Sequence, residues 1–202
     1  MPLTAPLSPF RRSLLLAATA APWAASAQEG QAQIEGASFD RRARVAGSDL
    51  VLNGIGTRTV AWFTGYAAGL YLPARASSAA HVVALEGPKR LQMRMLHEVP
   101  AAEFVKAFRK GVQRNVPAGD MPRLAQRMDR FAALITDLGK VKKGDVVNLD
   151  YEPGRGTLLR LNGTLRGEPI EGPDFYAALL RSFIGERPYD EKLRAGLLGQ
   201  GA

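Results

Sequence analysis

Two neighbouring stretches of this 202-residue chain decide its fold. Residues 52–58 read Leu-Asn-Gly-Ile-Gly-Thr-Arg, and residues 66–72 read Tyr-Ala-Ala-Gly-Leu-Tyr-Leu. The span from Leu50 to Leu72 is rich in β-branched and aromatic residues, is broken by glycines and ends at Pro73. This pattern predicts a strand, a tight loop and a second strand. Strands joined by a tight turn pair antiparallel, so we expect an antiparallel sheet.

Period-two alternation and turn residues predict further strands on both sides of this pair. They are Gln33–Phe39, Arg42–Val45, Arg90–Val99, Gly144–Tyr151, Thr157–Leu161 and Thr164–Gly167. Asn162-Gly163 is typical of a two-residue hairpin turn between the last two strands.

Apolar residues at helical spacing predict five helices between and after these strands. They cover Ser78–Leu85, a segment opened by Pro100, a segment capped by Asp120, a segment opened by Pro173, and Asp190–Leu198. The order of elements indicates an α+β fold, in which a large antiparallel sheet carries helices packed on one face.

The first 27 residues have the pattern of a cleavable export signal. Arg11 and Arg12 are followed by a short apolar run, and Ala25-Ser26-Ala27 is a small-x-small cleavage motif. The apolar run is shorter than the ~20 residues that span a bilayer. We therefore expect cleavage before Gln28 and a periplasmic domain over residues 28–202, exported by either the general secretory or the twin-arginine route.

Composition and charge exclude several classes of function. The chain has no cysteine and only two histidines, His81 and His97, far apart in sequence, so we expect no metal site and no cofactor. The formal net charge falls from +8 to +6 when residues 1–27 and their two arginines are removed. Export makes nucleic acid an unsuitable partner for this charge. An acidic ligand or peripheral contact with an anionic membrane surface fits it better.

Candidate site residues cluster in the two stretches quoted above. Gly54 and Gly56 allow a sharp turn whose amide groups could face one concavity, and Thr57 precedes Arg58, which can hold a carboxylate with two parallel hydrogen bonds. Tyr66 carries a hydroxyl among small side chains, which suggests room for a ligand. A glycine turn, a surface arginine and a core tyrosine explain the same residues without a site, and spacing alone favours that explanation.

Nearly the whole chain after residue 27 resembles the chalcone isomerase-like superfamily, specifically its exported bacterial branch. Residues 54–58 are similar to its glycine-x-glycine-x-arginine loop, and residues 66–72 to its following strand. Later signatures of the bacterial branch are similar to residues 143–145, 151–157, 162–163 and 197–199. The resemblance implies an open-faced β-sandwich: a large antiparallel sheet, helices packed on it, and a ligand cleft between them.

The resemblance implies two functions. In plant chalcone isomerases, which close a chalcone to a flavanone, an arginine matching Arg58 polarises and orients the substrate. Their strand threonine falls at Tyr66, and the tyrosine and asparagine that they use around a later helix are missing from residues 101–114. With a tyrosine at position 66, the chain is similar instead to the fatty-acid-binding members of the superfamily, in which an arginine and a tyrosine hold the carboxylate.

The leading hypothesis is therefore a non-catalytic binder of a small amphipathic acid such as a fatty acid, with Gly54, Gly56, Thr57, Arg58 and Tyr66 at its site. An intramolecular lyase of the chalcone isomerase type and an envelope interaction protein without a ligand are the alternatives. Arg58 and Tyr66 are eight positions apart, about 26 Å along one straight strand, so a shared site requires a turn between Thr59 and Gly65.

Overall fold

A computed structural model describes Met1, residues 30–60 and residues 63–201. The predicted export signal beyond Met1, and the predicted cleavage point before Gln28, lie outside the described residues. The strands are β1 (Gln31–Ile34), β2 (Ala37–Asp40), β3 (Arg42–Val45), β4 (Ser48–Val60), β5 (Phe63–Leu72), β6 (Lys89–Met95), β7 (Val99–Pro100), β8 (Lys140–Val141), β9 (Val146–Glu152), β10 (Gly156–Leu161) and β11 (Thr164–Ile170). The helices are α1 (Ala79–Ala84), α2 (Ala101–Asn115), α3 (Met121–Thr136), α4 (Pro173–Ile184) and α5 (Glu191–Leu197). None of these helices is long and apolar enough to cross a membrane.

Seven strands form one antiparallel sheet in the order β11-β10-β9-β6-β5-β4-β3. Strands β1 and β2 form a separate hairpin, and β7 pairs with β8. A large antiparallel sheet with packed helices confirms the α+β class and the predicted sheet architecture.

Strand β5 lies at the centre of the fold because it is covered on both faces. Successive side chains of a strand point to opposite faces. Tyr66 and Leu70 face the helices and belong to the main apolar core, whereas Ala67 and Tyr71 pack with the β1–β2 hairpin on the other face. This second cover over one part of the sheet explains why β5 is apolar at almost every position.

The main core lies between the sheet and helices α2, α3 and α4. Phe108 of α2, Phe131 of α3 and Phe175 of α4 meet edge to face, with ring centroids 5.0, 5.5 and 6.1 Å apart. Edge-to-face contacts are a favoured geometry for aromatic rings and fix the relative positions of the three helices. The apolar stripes in the sequence are thus core residues, as their helical spacing predicts.

Several predicted element boundaries were wrong. Gln33–Phe39 is a hairpin and not one strand, because the chain turns at Glu35 and Gly36, whose φ angles are +48° and +77°. The strand predicted to run to Val99 ends at Met95, and Val99 pairs instead with Val141. Helix α2 continues through Asn115, one residue past the predicted end at Arg114.

The Asn162-Gly163 turn is confirmed. Both residues have positive φ, +52° and +81°, as a two-residue hairpin of the predicted type requires. The Asn162 side chain accepts a hydrogen bond from the Val146 amide and donates one to Asp145. This pairing holds the pKa of the Asp145 carboxyl below its usual value, together with the Lys142 amide.

Candidate functional site

A hairpin places Arg58 directly opposite Tyr66. Strand β4 ends at Val60 and β5 begins at Phe63, so the chain reverses within the interval that a shared site requires. In the register of the two strands Arg58 pairs with Tyr66, and side chains directly opposite in an antiparallel pair lie on the same face. Both residues line the same cavity between the sheet and the helices.

The predicted glycine loop lies inside strand β4. A β-carbon added to Gly54 would lie 2.1 Å from the Gly196 carbonyl oxygen, and one added to Gly56 would lie 2.8 Å from that of Leu193. Helix α5 therefore rests directly on the strand backbone, and the glycines permit this approach. Gly54, Gly56 and Thr57 are not among the described residues that line the cavity. Their role in ligand binding stays a prediction, and the turn assigned to them was wrong.

The small residues around Tyr66 do not all make room for a ligand. A β-carbon on Gly69 would lie 2.8 Å from the Phe39 ring, on the face covered by the β1–β2 hairpin. Ala67 packs in the same cluster as Phe39, whereas Ala68 lies in the main core with Tyr66. Some of the small side chains beside Tyr66 are therefore explained by the hairpin on the opposite face.

Arg58 is held by the loop between α4 and α5. Its Nη1 lies 3.3 Å from Asp190 Oδ2 and 3.4 Å from the Tyr189 carbonyl oxygen, and its guanidinium stacks 4.2 Å from the Tyr189 ring centroid. Its Nε and Nη2 make no hydrogen bond to any residue that the structure describes. The planar fork that suits a carboxylate is thus still largely available.

The Arg58–Asp190 pair is long and rests on one nitrogen. In contrast, Arg90 holds Asp150 through two hydrogen bonds of 2.6 and 2.7 Å. The Asp190 carboxylate also accepts two hydrogen bonds that do not involve Arg58. One comes from the Leu193 amide at 3.0 Å and caps α5, and the other comes from the Thr59 amide at 3.3 Å. Asp190 can therefore stay hydrogen-bonded if Arg58 turns towards another anion.

Tyr66 is buried, and its hydroxyl donates no hydrogen bond to a residue that the structure describes. Burial raises the pKa of its hydroxyl well above the ordinary value; Arg58 opposes the shift and Asp190 adds to it. The phenol therefore stays protonated at neutral pH. Its hydroxyl makes no hydrogen bond to a described residue, and its ring stacks on Phe104 with centroids 5.8 Å apart. An acceptor beside Arg58 would find this donor on the same face of the sheet.

An apolar cavity continues inward from Arg58 and Tyr66. Its volume is about 60 Å³, room for a few water molecules. Side chains of the sheet and of helices α2, α3 and α4 form its walls, including Met93, Phe104, Phe108, Phe131, Val147, Leu149, Leu179 and Phe183. The walls are almost entirely hydrocarbon, so the interior suits an apolar chain and disfavours an acid group.

An outer recess of about 180 Å³ adjoins this cavity, and the two share the lining residues Arg58, Tyr66, Phe104, Ala107 and Tyr189. Cationic side chains surround Tyr189 at the entrance. Lys110 and Arg114 lie 5.7 and 5.8 Å from its ring centroid, in addition to Arg58. Lys106, Glu98 and Glu103 line the recess as well. Grouped cations raise the local concentration of anions at such an entrance.

The helix beside the cavity lacks the polar pair expected of a chalcone isomerase. Helix α2 contains no tyrosine, and its one asparagine, Asn115, is its last residue. The Asn115 amide group bonds to the backbone of Gly111 and Arg187, at 2.8–2.9 Å. Asn115 is therefore committed to the loop after α4 and is not among the residues lining the cavity.

Sequence reasoning missed Tyr189, Asp190 and Phe104 as site residues. Asp190 was visible only as the start of the last helix, and Phe104 only as part of an apolar stripe. Only tertiary contacts reveal that these residues belong to the site, because Tyr189 and Asp190 are more than 130 positions from Arg58 in sequence. Among the described residues, no group of histidines and carboxylates is placed to hold a metal ion.

Comparisons with known proteins agree with this architecture. A family model described as chalcone isomerase-like matches residues 31–199. Curated protein sequences give no match. Among solved structures, a fatty-acid binding protein of Arabidopsis thaliana superimposes with a TM-score of 0.63 at 16% identity, over 83% of this chain and 95% of that one. The superposition shows a common fold, and the match to the family model establishes that the chain belongs to the chalcone isomerase-like family.

Proposed function

We propose that this protein binds a small amphipathic acid, of the fatty-acid type, without transforming it. The observation that carries the proposal is the pairing of Arg58 with Tyr66 at the mouth of an apolar cavity. A cationic fork and a neutral hydroxyl on one face match the acceptors of a carboxylate. Hydrocarbon walls behind them match an apolar tail.

Two residues of the site can donate hydrogen bonds to the head group of the ligand. Arg58 offers Nε and Nη2, which form no hydrogen bond in the described part of the chain. Tyr66 offers its hydroxyl, which is protonated at neutral pH and whose pKa burial raises further. Asp190 would compete for Arg58, but only through Nη1. A ligand carboxylate therefore gains a bidentate partner without removing the cap of α5.

The tail requires the cavity to widen. A volume of about 60 Å³ is too small for a long alkyl chain, so side chains must change rotamer. Met93 has a flexible side chain that can adopt another rotamer. Phe104 is only partly buried, so its ring can turn towards the outer recess. The fold supports this use of the cleft by analogy, since the Arabidopsis protein that shares it is named as a fatty-acid binding protein.

Titration of the delipidated protein with dodecanoic acid and 1-dodecanol tests the proposal. We expect saturable binding of the acid and weaker binding of the alcohol, because only the acid can pair with Arg58. Tyr66→Phe removes one neutral hydrogen bond and is expected to weaken acid binding by about 0.5–1.5 kcal/mol. Equal affinity for both compounds would contradict the recognition of an acid group. No binding of either would contradict the proposal as a whole and leave the envelope interaction protein as the better hypothesis.

The proposed location is the periplasm. The cleavage motif at residues 25–27 supports this location. The mass of protein recovered from a periplasmic fraction is expected to correspond to a chain that begins at Gln28. A membrane-bound form that retains residues 1–27 would rule out this part of the proposal.

Catalysis of the chalcone isomerase type is not expected. The cyclisation proceeds without an enzyme once the substrate hydroxyl ionises, so an enzyme must add orientation and electrostatic stabilisation. Arg58 supplies part of this, but α2 offers no tyrosine and Asn115 is committed elsewhere. We expect a 2′-hydroxychalcone to cyclise at its spontaneous rate, followed by absorbance. Rapid, stereoselective product formation that Arg58→Ala abolishes would make the protein an isomerase.

A further inference from the structure

A second cavity lies at the far end of the sheet from Arg58. Its volume is about 420 Å³, and it is bounded by the end of α1, the start of α4 and the first residues of β6. Among the described residues, none lines both this cavity and the cavity or the recess at Arg58. Lys89 lines it at one end of β6, whereas Met95 at the other end pairs with Tyr66. The two sites are thus separated by about 20 Å along one strand.

Lys89 is a buried cation without an anionic partner in the described part of the chain. Only 5% of the residue is exposed, and no described carboxylate lies within ion-pairing distance of its Nζ. The register explains this, because Lys89 pairs with Tyr151, while Asp150 and Glu152 point to the opposite face of β9. There they pair with Arg90, Arg155 and Arg160.

One donor of the Lys89 ammonium has no partner among the residues that the structure describes. Nζ donates to the Leu85 carbonyl oxygen at 2.5 Å and to that of Gly87 at 3.4 Å. These bonds complete the end of α1, a familiar use of lysine, but they account for two of its three donors. Burial also lowers the pKa of the amine, since charge is disfavoured away from water. A bound anion would use the third donor and offset the desolvation of the charge.

The walls of this cavity are flat and mainly apolar. The rings of Tyr151 and Tyr176 stack with centroids 5.2 Å apart, and Lys89 Nζ lies 5.5 Å from the Tyr151 centroid. The Tyr176 hydroxyl is already donated to the Leu149 carbonyl. Other lining residues are Val83, Ala84, Pro153, Pro173, Ala177 and Leu180, with Glu86 exposed at the rim. Such walls accept a planar hydrocarbon body.

We propose that this cavity is a second ligand site, which binds a small organic anion with a flat apolar body and pairs its acid group with the Lys89 ammonium. Its volume lies within the range of ligand pockets, whereas the chemistry of its walls differs from that of the Arg58 cleft. The site is independent of the function proposed for Arg58 and Tyr66. Either site can fail its test without affecting the other.

Benzoate is the probe, with benzyl alcohol as its neutral counterpart, and backbone amide shifts of the ¹⁵N-labelled protein locate each. We expect saturable shifts at Leu85, Gly87, Tyr151 and Ala177, and at least tenfold weaker binding of benzyl alcohol. Lys89→Met, which keeps the length of the side chain, is expected to lower benzoate affinity at least tenfold. Lys192→Met removes an exposed lysine from α5 and is expected to leave it unchanged.

Ala177→Leu keeps the experiment decisive if Lys89→Met fails to fold. It fills the cavity from α4 with a good helix former and leaves Lys89 intact, so we expect the benzoate shifts at Leu85 and Tyr151 to disappear. The proposal is overturned if benzoate shifts only the residues around Arg58. It is equally overturned if the shifts do not saturate, or if both variants bind as tightly as the wild type.

Discussion

Arg58→Ala is expected to weaken binding of dodecanoic acid roughly 30-fold while the protein stays folded. Truncating one partner of a desolvated charge pair costs about 2–5 kcal/mol. Because Asp190 already contacts Arg58 in the free protein, we expect the lower end, about 2 kcal/mol, which corresponds to the stated factor. Calorimetric titration measures it directly, and 1-dodecanol should bind the variant and the wild type alike.

Two matched variants distinguish three effects on acid binding. These are the charge of Arg58, the planar shape of its guanidinium, and the competition from Asp190. Arg58→Lys keeps the charge but not the planar fork, so it is expected to recover only part of the lost affinity. Asp190→Asn removes the competing carboxylate while asparagine still caps α5, so acid binding is expected to strengthen by about 0.5–1 kcal/mol. That gain should vanish when Arg58→Ala is added, because the two residues act on each other.

An opposite result at Arg58 would be informative. If Arg58→Ala binds the acid as tightly as the wild type, the anchor of the head group is wrong. If it loses the acid and the alcohol equally, Arg58 supports the shape of the cleft, through its contact with Tyr189, and not the recognition of charge. Only a loss confined to the acid agrees with the proposal.

The fold was predictable because its signals are local. Alternation along β6, the Asn162-Gly163 turn and the phenylalanine stripe of α2 each predict an element from a short window of sequence. The pairing of Arg58 with Tyr66 lacked such a signal, because Ala61 and Trp62, between the two strands, are not typical turn residues. The loop was therefore predicted at Gly54 and Gly56.

The remainder of the site depends on contacts distant in sequence. Asp190 meets Arg58 across 132 positions, and Phe39 fills the space beside Gly69 from a hairpin on the other face. No periodicity or spacing rule carries that information. Glycine is the clearest case, since it serves tight turns and close packing equally well, and only the packed structure distinguishes the two uses.

Gly54→Ala is expected to be among the most destabilising single-methyl changes in this chain, at about 3 kcal/mol or more. The added carbon would lie 2.1 Å from the Gly196 carbonyl oxygen and 2.8 Å from the Gly199 amide nitrogen. Both are backbone atoms, so no side chain can turn aside and α5 itself must move. Overpacking a well-packed core typically costs 1–3 kcal/mol, and a rigid backbone contact belongs at the upper end or beyond.

Gly119→Ala is the matched control, because no atom of a described residue lies within 4 Å of its added carbon and its φ is not in the left-handed region. We expect it to change the free energy of unfolding by less than about 0.5 kcal/mol, measured by urea denaturation.

Displacement of α5 also carries Asp190 and Leu193 away from the Arg58 cleft, so any Gly54→Ala protein that folds is expected to bind dodecanoic acid more weakly. Equal stability of the two alanine variants would mean that α5 is not packed on the backbone of β4, and would remove the reason for glycine at position 54.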